Sequence, residues 1–252
     1  MAYFFKNLVF EGGGVKGIAY IGALEVLQEE KIFPKIKRVA GTSAGAIMAV
    51  LIGLGYTPSE IKEIMWCLNF KNFMDDSWGI IQDTKRLIEK FGWYKGDFFR
   101  NWIGDLIKAK TGNSESTFAD LAAMKGENKF LDISLIGTNL STGFSEIFSA
   151  EHTPRVCIAD AARISMSIPL FFAAKRNFRN DVYVDGGMLN NYPVKVFDRT
   201  KYVTKNFTRT GYYEPINKKL EKRPRKIADY VYNKETLGFR LDSKEKIAFF
   251  RD

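Results

Sequence analysis

A serine with two flanking glycines is the first candidate for chemistry in this chain. In the segment GTSAG, Ser43 lies between Gly41 and Gly45, after a short β-like run at residues 37–40 and at the start of an apolar stretch over residues 44–54. A strand that turns into a helix through G-x-S-x-G is typical of the nucleophile elbow of serine acyl hydrolases. Its glycines let the backbone bend around a serine in a strained, exposed position, and the helix N-terminus faces the serine oxygen. An ordinary strand–helix junction rich in small residues would also fit.

Three consecutive glycines form a second candidate. Gly12, Gly13 and Gly14 follow an apolar strand at residues 8–10, and with Gly17 they satisfy G-x-G-x-x-G. A dinucleotide site also needs an acidic residue after the second strand, where this chain has the serine segment, and no Gly-Lys-Ser/Thr completes a P-loop. The glycines therefore offer unobstructed backbone N–H groups for negative charge. Beside a nucleophilic serine, that charge would be the oxyanion of an acyl-transfer intermediate.

A carboxylate completes the set. Asp185, followed by Gly186 and Gly187, comes directly after a strand at residues 182–184. All three motifs thus follow predicted strands, and open α/β sheets build their sites at the carboxyl ends of strands. We expect the three to meet at that edge.

The histidine and cysteine content limits the alternatives. His152 is the one histidine of the chain, in a polar stretch that predicts a surface loop, so a Ser-His-Asp triad would have to use it and a site with several histidines is excluded. We do not assign it as a catalytic base. Cys67 and Cys157 suggest neither a disulfide framework nor a metal site.

Together these motifs resemble the patatin-like phospholipase family, in their order and spacing, over about residues 5–197. The stretch SMSIP at residues 165–169 is similar to a further segment of that family. Glu11, just before the glycines, stands where the family usually has aspartate. The resemblance implies an α/β fold with three layers, α/β/α, around a mostly parallel central sheet.

The resemblance also implies roles for individual residues. Ser43 would be the nucleophile and Asp185 its sole catalytic partner. The amides of the three glycines at 12–14 would form the oxyanion hole, joined by a neighbouring amide. Lys16 stands where the family has a basic residue, and its role is left open. The other motif positions would support the shape of the loops: Gly17, Gly41, Gly45, Gly186 and Gly187.

The activity implied is that of a lipid acyl hydrolase of the phospholipase A or lysophospholipase type, working through an acyl-serine without metal or cofactor. A carboxylate of ordinary pKa, about 4, is a poor base for a hydroxyl at neutral pH. Asp185 must therefore be partly desolvated and bonded directly to Ser43. Two alternatives stay open: a small-ester or acyl-CoA thioesterase, and a catalytically silent module that binds lipid or a partner.

Charge is distributed unevenly over the 252 residues. Residues 1–198, the expected catalytic domain, carry a net charge of +1, whereas residues 199–252 carry 15 basic and 7 acidic side chains, a net +8. We expect this basic segment to pack on or extend the same domain, and its abrupt end would fit a truncated chain. Such a basic block is usually a solvated segment, and the functional alternative is a transient contact with an anionic membrane surface; no nucleic-acid partner is expected. Whether a protein partner activates the chain is left open.

The sequence predicts a cytoplasmic protein, since neither a signal peptide nor a transmembrane segment is evident. Residues 70–96 are rich in aromatic side chains, which fits core packing or alternatively a lid. Other local patterns predict these elements: helices capped at residues 57–60 and 117–120, a helix from about Asp97 to Lys110 ending at Gly112, strands at 129–137 and 144–149, and a helix from Thr153 through Ala162.

Overall fold

The structure is a computed structural model that describes residues 3–68, 92–126, 130–176, 180–223 and 228–242. Its strands are β1 (Asn7–Phe10), β2 (Arg38–Gly41), β3 (Gly92–Tyr94), β4 (Asp132–Asn139), β5 (Phe144–Ser149), β6 (Leu170–Phe172), β7 (Lys175–Arg176), β8 (Val182–Asp185), β9 (Phe207–Thr208), β10 (Tyr232–Asn233) and β11 (Thr236–Phe239).

Helices connect and cover these strands. They are α1 (Tyr20–Glu29), α2 (Ala44–Gly53), α3 (Pro58–Cys67), α4 (Asp97–Thr111), α5 (Phe118–Ala123), α6 (Ile158–Ser165), α7 (Gly187–Asn190) and α8 (Glu214–Glu221). Short 3-10 helices cover Gly14–Ala19, Phe33–Lys35, Met124–Gly126 and Thr200–Tyr202.

Seven of the described strands form one mixed, mostly parallel sheet. β11, β1, β2 and β4 lie side by side and run in the same direction. β5 and β8 both pair antiparallel with β4, and β7 pairs antiparallel with β8. Two small sheets lie apart from it, formed by β3 with β6 and by β9 with β10. The expected mostly parallel α/β sheet is confirmed.

Both faces of the sheet are buried. Successive side chains of a strand point to opposite sides, so neighbouring residues of β1 belong to different cores. Leu8 and Phe10 belong to the large core that includes the apolar residues of α1 and α2. Val9 and Ala40, which are paired across β1 and β2, pack instead in a second core with Phe197. Helix α2 is buried along its whole length against β1, β2 and β4. The arrangement is consistent with a three-layer α/β/α fold.

The ends of β2 and β8 meet on one edge of β4. β5 pairs with β4 over residues 134–139, so β2 and β8 must share the other edge. There β2 ends with Gly41 opposite Leu135, and β8, running the other way, ends with Asp185 opposite Gly137. The two strand ends are thus two β4 residues apart, about 7 Å. Each motif lies at the carboxyl end of a strand, as predicted. Because β8 runs antiparallel to β2, these two strand ends approach each other head-on along β4.

Local helix signals behave as predicted in three places. The side chains of Thr57 and Thr117 each accept a hydrogen bond from the backbone amide three residues on. The carboxylates of Glu60 and Asp120 in turn accept one from the backbone amide of the capping threonine. Gly112 ends α4 with a left-handed φ of 83°, which glycine adopts without strain.

The predicted helix start at Thr153 is wrong, since α6 begins at Ile158. Residues 154–158 run alongside the segment 116–119 instead. The amides of Ala119 and Phe118 donate to the carbonyls of Pro154 and Val156, and Ile158 N donates to Ser116 O. These tertiary hydrogen bonds outweigh the local preference for a helix after Thr-Pro.

Most of the aromatic-rich stretch lies outside the described residues. The exception is its end, where β3 pairs with β6 and the Tyr94 ring lies 4.9 Å from that of Phe171. Within the described ranges, no helix combines the length and hydropathy that crossing a bilayer requires.

Candidate active site

Ser43 occupies the sharp turn between β2 and α2. Its backbone has φ 55° and ψ −124°, a conformation that costs a residue with a side chain about 1–3 kcal/mol. Its amide donates to the Ser165 hydroxyl at 3.0 Å, which helps to hold the turn. The predicted strain is present, but the predicted exposure is wrong: Ser43 is only 5% exposed.

Close backbone approaches explain both glycines of the serine motif. A Cβ on Gly41 would lie 2.0 Å from the carbonyl oxygen of Gly45, and one on Gly45 would lie 2.3 Å from that of Phe10. The first turn of α2 therefore lies directly against the end of β1. No other residue type fits at either position without moving the main chain.

Asp185 lies at the end of β8, buried and fixed through its backbone. Its amide donates to the carbonyl of Ser167 at 2.8 Å, and Oδ1 accepts a 2.6 Å hydrogen bond from the Gly187 amide. Oδ2 is buried and has no hydrogen-bond partner among the described residues. Burial raises the pKa of Asp185 to about 6, although the Gly187 amide and the nearby Ser43 hydroxyl both favour the ionised form.

The segment 165–167 contacts both halves of the predicted dyad. Ser165 accepts a hydrogen bond from the Ser43 amide, and Ser167 accepts one from the Asp185 amide. Between them, Met166 Sδ accepts one from the Ser43 hydroxyl at 3.6 Å. The Ser43 hydroxyl is therefore close enough to Asp185 to favour its ionised form, while its hydrogen bond in this structure goes to Met166 Sδ. Hydrogen bonds between catalytic groups often tighten only once substrate is bound.

A buried arginine, which sequence reasoning did not identify, supports this segment. Arg163 in α6 is 1% exposed, and its Nη1 donates to the Ser167 hydroxyl at 2.6 Å. Its Nη2 donates to the carbonyls of Lys95 and Ala173, and its guanidinium lies 5.0 Å from the centre of the Phe172 ring. The sequence signal that could have revealed this arginine is its position among the apolar residues 161–164, directly before SMSIP.

The glycine loop lies beside Ser43 and offers two amides. The Gly12 amide donates to Asn191 O at 3.0 Å, so it is already engaged. Among the described residues, the amides of Gly13 and Gly14 have no acceptor. Gly14 has φ +56°, whereas the φ of −171° at Gly13 is extended backbone open to any residue. A Cβ on Gly12 would lie 3.0 Å from Ser43 Cβ, so this residue sets the distance between loop and nucleophile.

Residues from the far end of the chain hold the glycine loop in place. Glu11 accepts hydrogen bonds from the Leu241 amide at 2.7 Å and from Asn191 Nδ2 at 3.3 Å. Glu11 N in turn donates to Phe239 O at 3.0 Å. The Leu241 side chain lies against the loop, where a Cβ on Gly13 would come within 2.4 Å of it. Spacing within the loop could not reveal this support.

The remaining motif positions have simple surroundings. Lys16 is exposed. A Cβ on Gly17 would lie 2.9 Å from Ala44 Cβ, so the glycine at this position allows the chain after the glycine loop to pack closely on the start of α2. A Cβ on Gly186 would lie 2.3 Å from Ile136 O, so the turn after Asp185 lies against β4. Gly187 supplies the amide bonded to Asp185.

His152 is placed elsewhere. Its Nδ1 shares a 2.8 Å hydrogen bond with the Ser149 hydroxyl, and the residue lines a cavity with Tyr202 and Arg199. Burial lowers the pKa of His152, which favours the neutral ring. It contacts neither Ser43 nor Asp185.

One cluster in the described part of the chain carries three metal-ligating side chains, Glu115, Cys157 and Asp160. The guanidinium of Arg100 bridges its two carboxylates at 2.6 and 2.8 Å. We therefore assign this cluster as a salt-bridge network.

Comparison with known proteins supports the resemblance that the sequence motifs indicate. Residues 8–198 match the family model described as patatin-like phospholipase. The protein YqhO of Bacillus subtilis is 37% identical over 206 residues, covering 77% of this chain and 67% of its own. A cGAMP-activated phospholipase of Escherichia coli is 26% identical over 206 residues, covering 75% of this chain and 53% of its own.

Among solved structures, VipD from Legionella pneumophila superposes with a TM-score of 0.63 at 20% sequence identity, covering 99% of this chain and 53% of that protein. This likeness concerns the fold. The chain spans about three fifths to two thirds of the length of the first relatives it matches.

Proposed function

Because this chain belongs to the patatin-like phospholipase family, we propose that it cleaves lipid esters through an acyl-serine formed on Ser43, with Asp185 as its only general base. One observation carries the proposal. A buried carboxylate oxygen of Asp185 has no hydrogen-bond partner among the described residues, at the point where the strained serine turn meets the end of β8. Leaving such an oxygen unpaired costs free energy, so its presence calls for an explanation. We infer that it is kept to accept a proton during the reaction.

The raised pKa of Asp185 suits this role. A base with a pKa of about 6 accepts a proton near neutral pH more readily than an ordinary carboxylate. We infer that the Ser43 hydroxyl leaves Met166 Sδ when substrate enters and donates to Oδ2. Gly187 holds Oδ1 throughout, so the carboxylate keeps its orientation.

The cycle then follows acyl-transfer chemistry. Ser43 Oγ attacks the ester carbonyl while its proton moves to Asp185, and the carbonyl oxygen becomes an oxyanion. Collapse of this intermediate breaks the ester bond, and the departing alcohol or lysolipid takes the proton from Asp185. Water, deprotonated by Asp185, then attacks the acyl-serine, and the returning proton restores the Ser43 hydroxyl.

We assign the oxyanion to the amides of Gly13 and Gly14, assisted by the N-terminus of α2. Both amides lack an acceptor among the described residues, whereas that of Gly12 is engaged by Asn191. Ala44, the first residue of α2, follows Ser43 directly and adds the positive end of the helix dipole. Loss of one such donor typically costs about 3–4 kcal/mol of transition-state stabilisation.

We propose phospholipids as substrates, presented at a membrane surface. Exposed apolar side chains come shortly after two residues of the site in the sequence. Leu170 and Phe171 follow Ser167, and Met188 and Leu189 follow Asp185. Because Asp185 N is bonded to Ser167 O, both segments leave from one point of the fold. These exposed apolar side chains are suited to contact with a membrane surface, and we propose that the basic residues of 199–252 add attraction for anionic lipid.

The decisive experiment is product analysis by mass spectrometry on mixed phospholipid vesicles, with Ser43→Ala and Asp185→Asn as matched variants. Parent protein should release fatty acid, and each variant should lose roughly 10⁴-fold in turnover, since the two side chains act as one unit. His152→Ala is the control and should keep its activity. Substantial hydrolysis by Asp185→Asn, or loss of it in His152→Ala, would show that the dyad is misassigned.

The same assay separates the alternatives. A thioesterase or small-ester hydrolase would prefer acyl-CoA or soluble short-chain esters over vesicles. Covalent labelling of Ser43 by a fluorophosphonate tests the silent-module alternative, which requires that no label appears. Because a relative is named for activation by cGAMP, the assay includes cGAMP, and a rate increase would place this chain among enzymes that need an activator.

A further inference from the structure

A cavity of about 360 Å³ lies on the second face of the sheet, away from Ser43 and Asp185. Its walls come from the loop after α7, from the 3-10 helix at Thr200–Tyr202 and from Tyr230. Two of its lining residues, Tyr192 and Tyr202, also pack against the second core of the sheet. The cavity is therefore built on the rigid part of the fold.

The lining of this cavity is basic. Lys195, Arg199 and Lys201 contribute to it, and no acidic side chain does. His152, the other titratable nitrogen base, has a lowered pKa and adds no charge at neutral pH. A concave surface with charges of one sign and apolar walls concentrates the opposite charge.

Arg199 is oriented towards an anion by its neighbours. Its Nε donates to Ala228 O at 2.9 Å, and its guanidinium carbon lies 4.2 Å from the centre of the Tyr230 ring. The two terminal nitrogens, Nη1 and Nη2, have no partner among the described residues. A guanidinium held by stacking, with its fork of N–H groups unused, matches the geometry of a phosphate group.

The two lysines are better placed to assist than to lead. Lys201 Nζ is paired with Glu151, and Lys195 Nζ lies 4.0 Å above the Tyr212 ring. Both are exposed at the rim. Because Glu151 balances the charge of Lys201, Lys195 and Arg199 provide the positive charge of the cavity, and Arg199 supplies the directed hydrogen bonds.

We propose that this cavity binds the phosphate group of a small phosphorylated molecule, with Arg199 as the principal ligand. The volume is near the lower end for small-molecule sites, which admits a phosphate ester of sugar or nucleoside size and excludes a whole phospholipid. Tyr192, Ile147 and Val196 also line the cavity and provide apolar contacts for the remainder of the ligand. The phosphate could belong to a soluble ester or to a lipid head group, and experiment must separate these sources.

Hydrogen bonds connect the wall of this cavity to the candidate active site, so a ligand bound there can influence the site. Asn190 lines the cavity, and its carbonyl accepts the Thr42 hydroxyl at 2.9 Å, next to the nucleophile. Asn191 exchanges two hydrogen bonds with Gly12, N–H to O at 3.0 Å and Nδ2 to O at 3.1 Å. The cavity wall and the glycine loop are thus one hydrogen-bonded unit.

The test measures binding, so it does not depend on the proposed hydrolase activity. Inorganic phosphate and adenosine monophosphate are titrated calorimetrically into the Ser43→Ala protein and into the same protein with Arg199→Gln. Arg199→Gln should weaken binding at least tenfold, because it removes charged hydrogen bonds. Arg209→Gln is the matched control, since Arg209 is an exposed arginine paired with Asp229 outside this cavity. It should leave the affinity unchanged.

Vesicles identify the source of the phosphate. Arg199-dependent binding to phosphatidic acid vesicles, not competed by adenosine monophosphate, would assign a lipid head group, and competition would assign a soluble ester. If Arg199→Gln does not fold, Lys195→Gln replaces it and should weaken binding of the same probes measurably. Absence of binding by both soluble probes and vesicles, or equal binding by parent and variant, would overturn the proposal.

Discussion

The turns that carry Ser43 and Asp185 and the glycine loop beside them are built in different ways. At Gly41, Gly45 and Gly186, an added methyl group would meet main-chain carbonyl oxygens within 2.0–2.3 Å. At Gly12 and Gly13 the nearest atoms are the ends of the Asn191 and Leu241 side chains. Main chain cannot move without disturbing the sheet, whereas a side chain can rotate. The positions of Ser43 and Asp185, the proposed dyad, are therefore fixed by main-chain packing, whereas the glycine loop is positioned by side chains that can move.

Replacing a glycine fixed by this main-chain packing should have the largest effect. In Gly45→Ala, the new methyl group would be forced against Phe10 O, so we expect a loss of more than about 3 kcal/mol in the free energy of unfolding. Urea denaturation measures this directly. Gly22→Ala in α1 is the control, because nothing lies within 4 Å of its Cβ position, and alanine there should stabilise the helix by up to about 1 kcal/mol. Equal stabilities for the two variants would contradict the comparison.

Asp185→Asn tests the region fixed by main-chain packing without changing its shape. The folded pKa of about 6 lies above the ordinary value of 3.8, so ionisation of Asp185 destabilises the folded protein as pH rises between these values. Above pH 6 the neutral asparagine should raise the free energy of unfolding by up to about 3 kcal/mol.

That gain should vanish below the ordinary pKa, where the parent carboxyl is protonated in both states. Thermal melts of the two proteins across pH test the sign. Hydrolysis by the parent protein should decline as pH falls through about 6, since the base becomes protonated. A variant less stable than the parent above pH 6 would show that the ionised carboxylate is stabilised by its surroundings after all.

The smallest effect is expected in the glycine loop. Gly13→Ala should lower turnover by roughly tenfold, about 1.4 kcal/mol, because Leu241 must move and the loop shifts slightly with it. The fold should remain intact. The double variant Gly13→Ala/Leu241→Ala removes the contact and should recover the turnover of Leu241→Ala alone. No recovery would mean that the loop glycine is required by the reaction itself.

Local patterns were sufficient to predict most elements but not their assembly. Both capping boxes and the end of α4 at Gly112 follow from a few neighbouring residues, and the structure confirms them. The direction of β8 could not be predicted, because a four-residue apolar strand reads the same in either orientation. The start of α6 was mispredicted because hydrogen bonds from residues 116–119 decide it.

The candidate site shows the same division. Ser43 and Asp185 were predicted from motifs as the catalytic pair, and the two turns that carry them lie on either side of Ile136 of β4. The burial of Ser43, the support from Arg163 and the cover by Leu241 were not predicted, because each depends on residues distant in sequence. The left-handed residue of the glycine loop is Gly14, which the run of three glycines did not distinguish from its neighbours.

The pairing of β11 with β1 links the catalytic apparatus to the order of synthesis. Leu241, which covers the glycine loop, is 230 positions from Glu11, to which its amide is bonded. At common translation rates this separation corresponds to roughly 10–50 seconds. A growing chain therefore contains the glycine loop and Ser43 long before Leu241 can cover that loop. Under the proposed assignments, a lipid hydrolase built this way gains the full support of its oxyanion loop only after β11 has been made and has paired with β1.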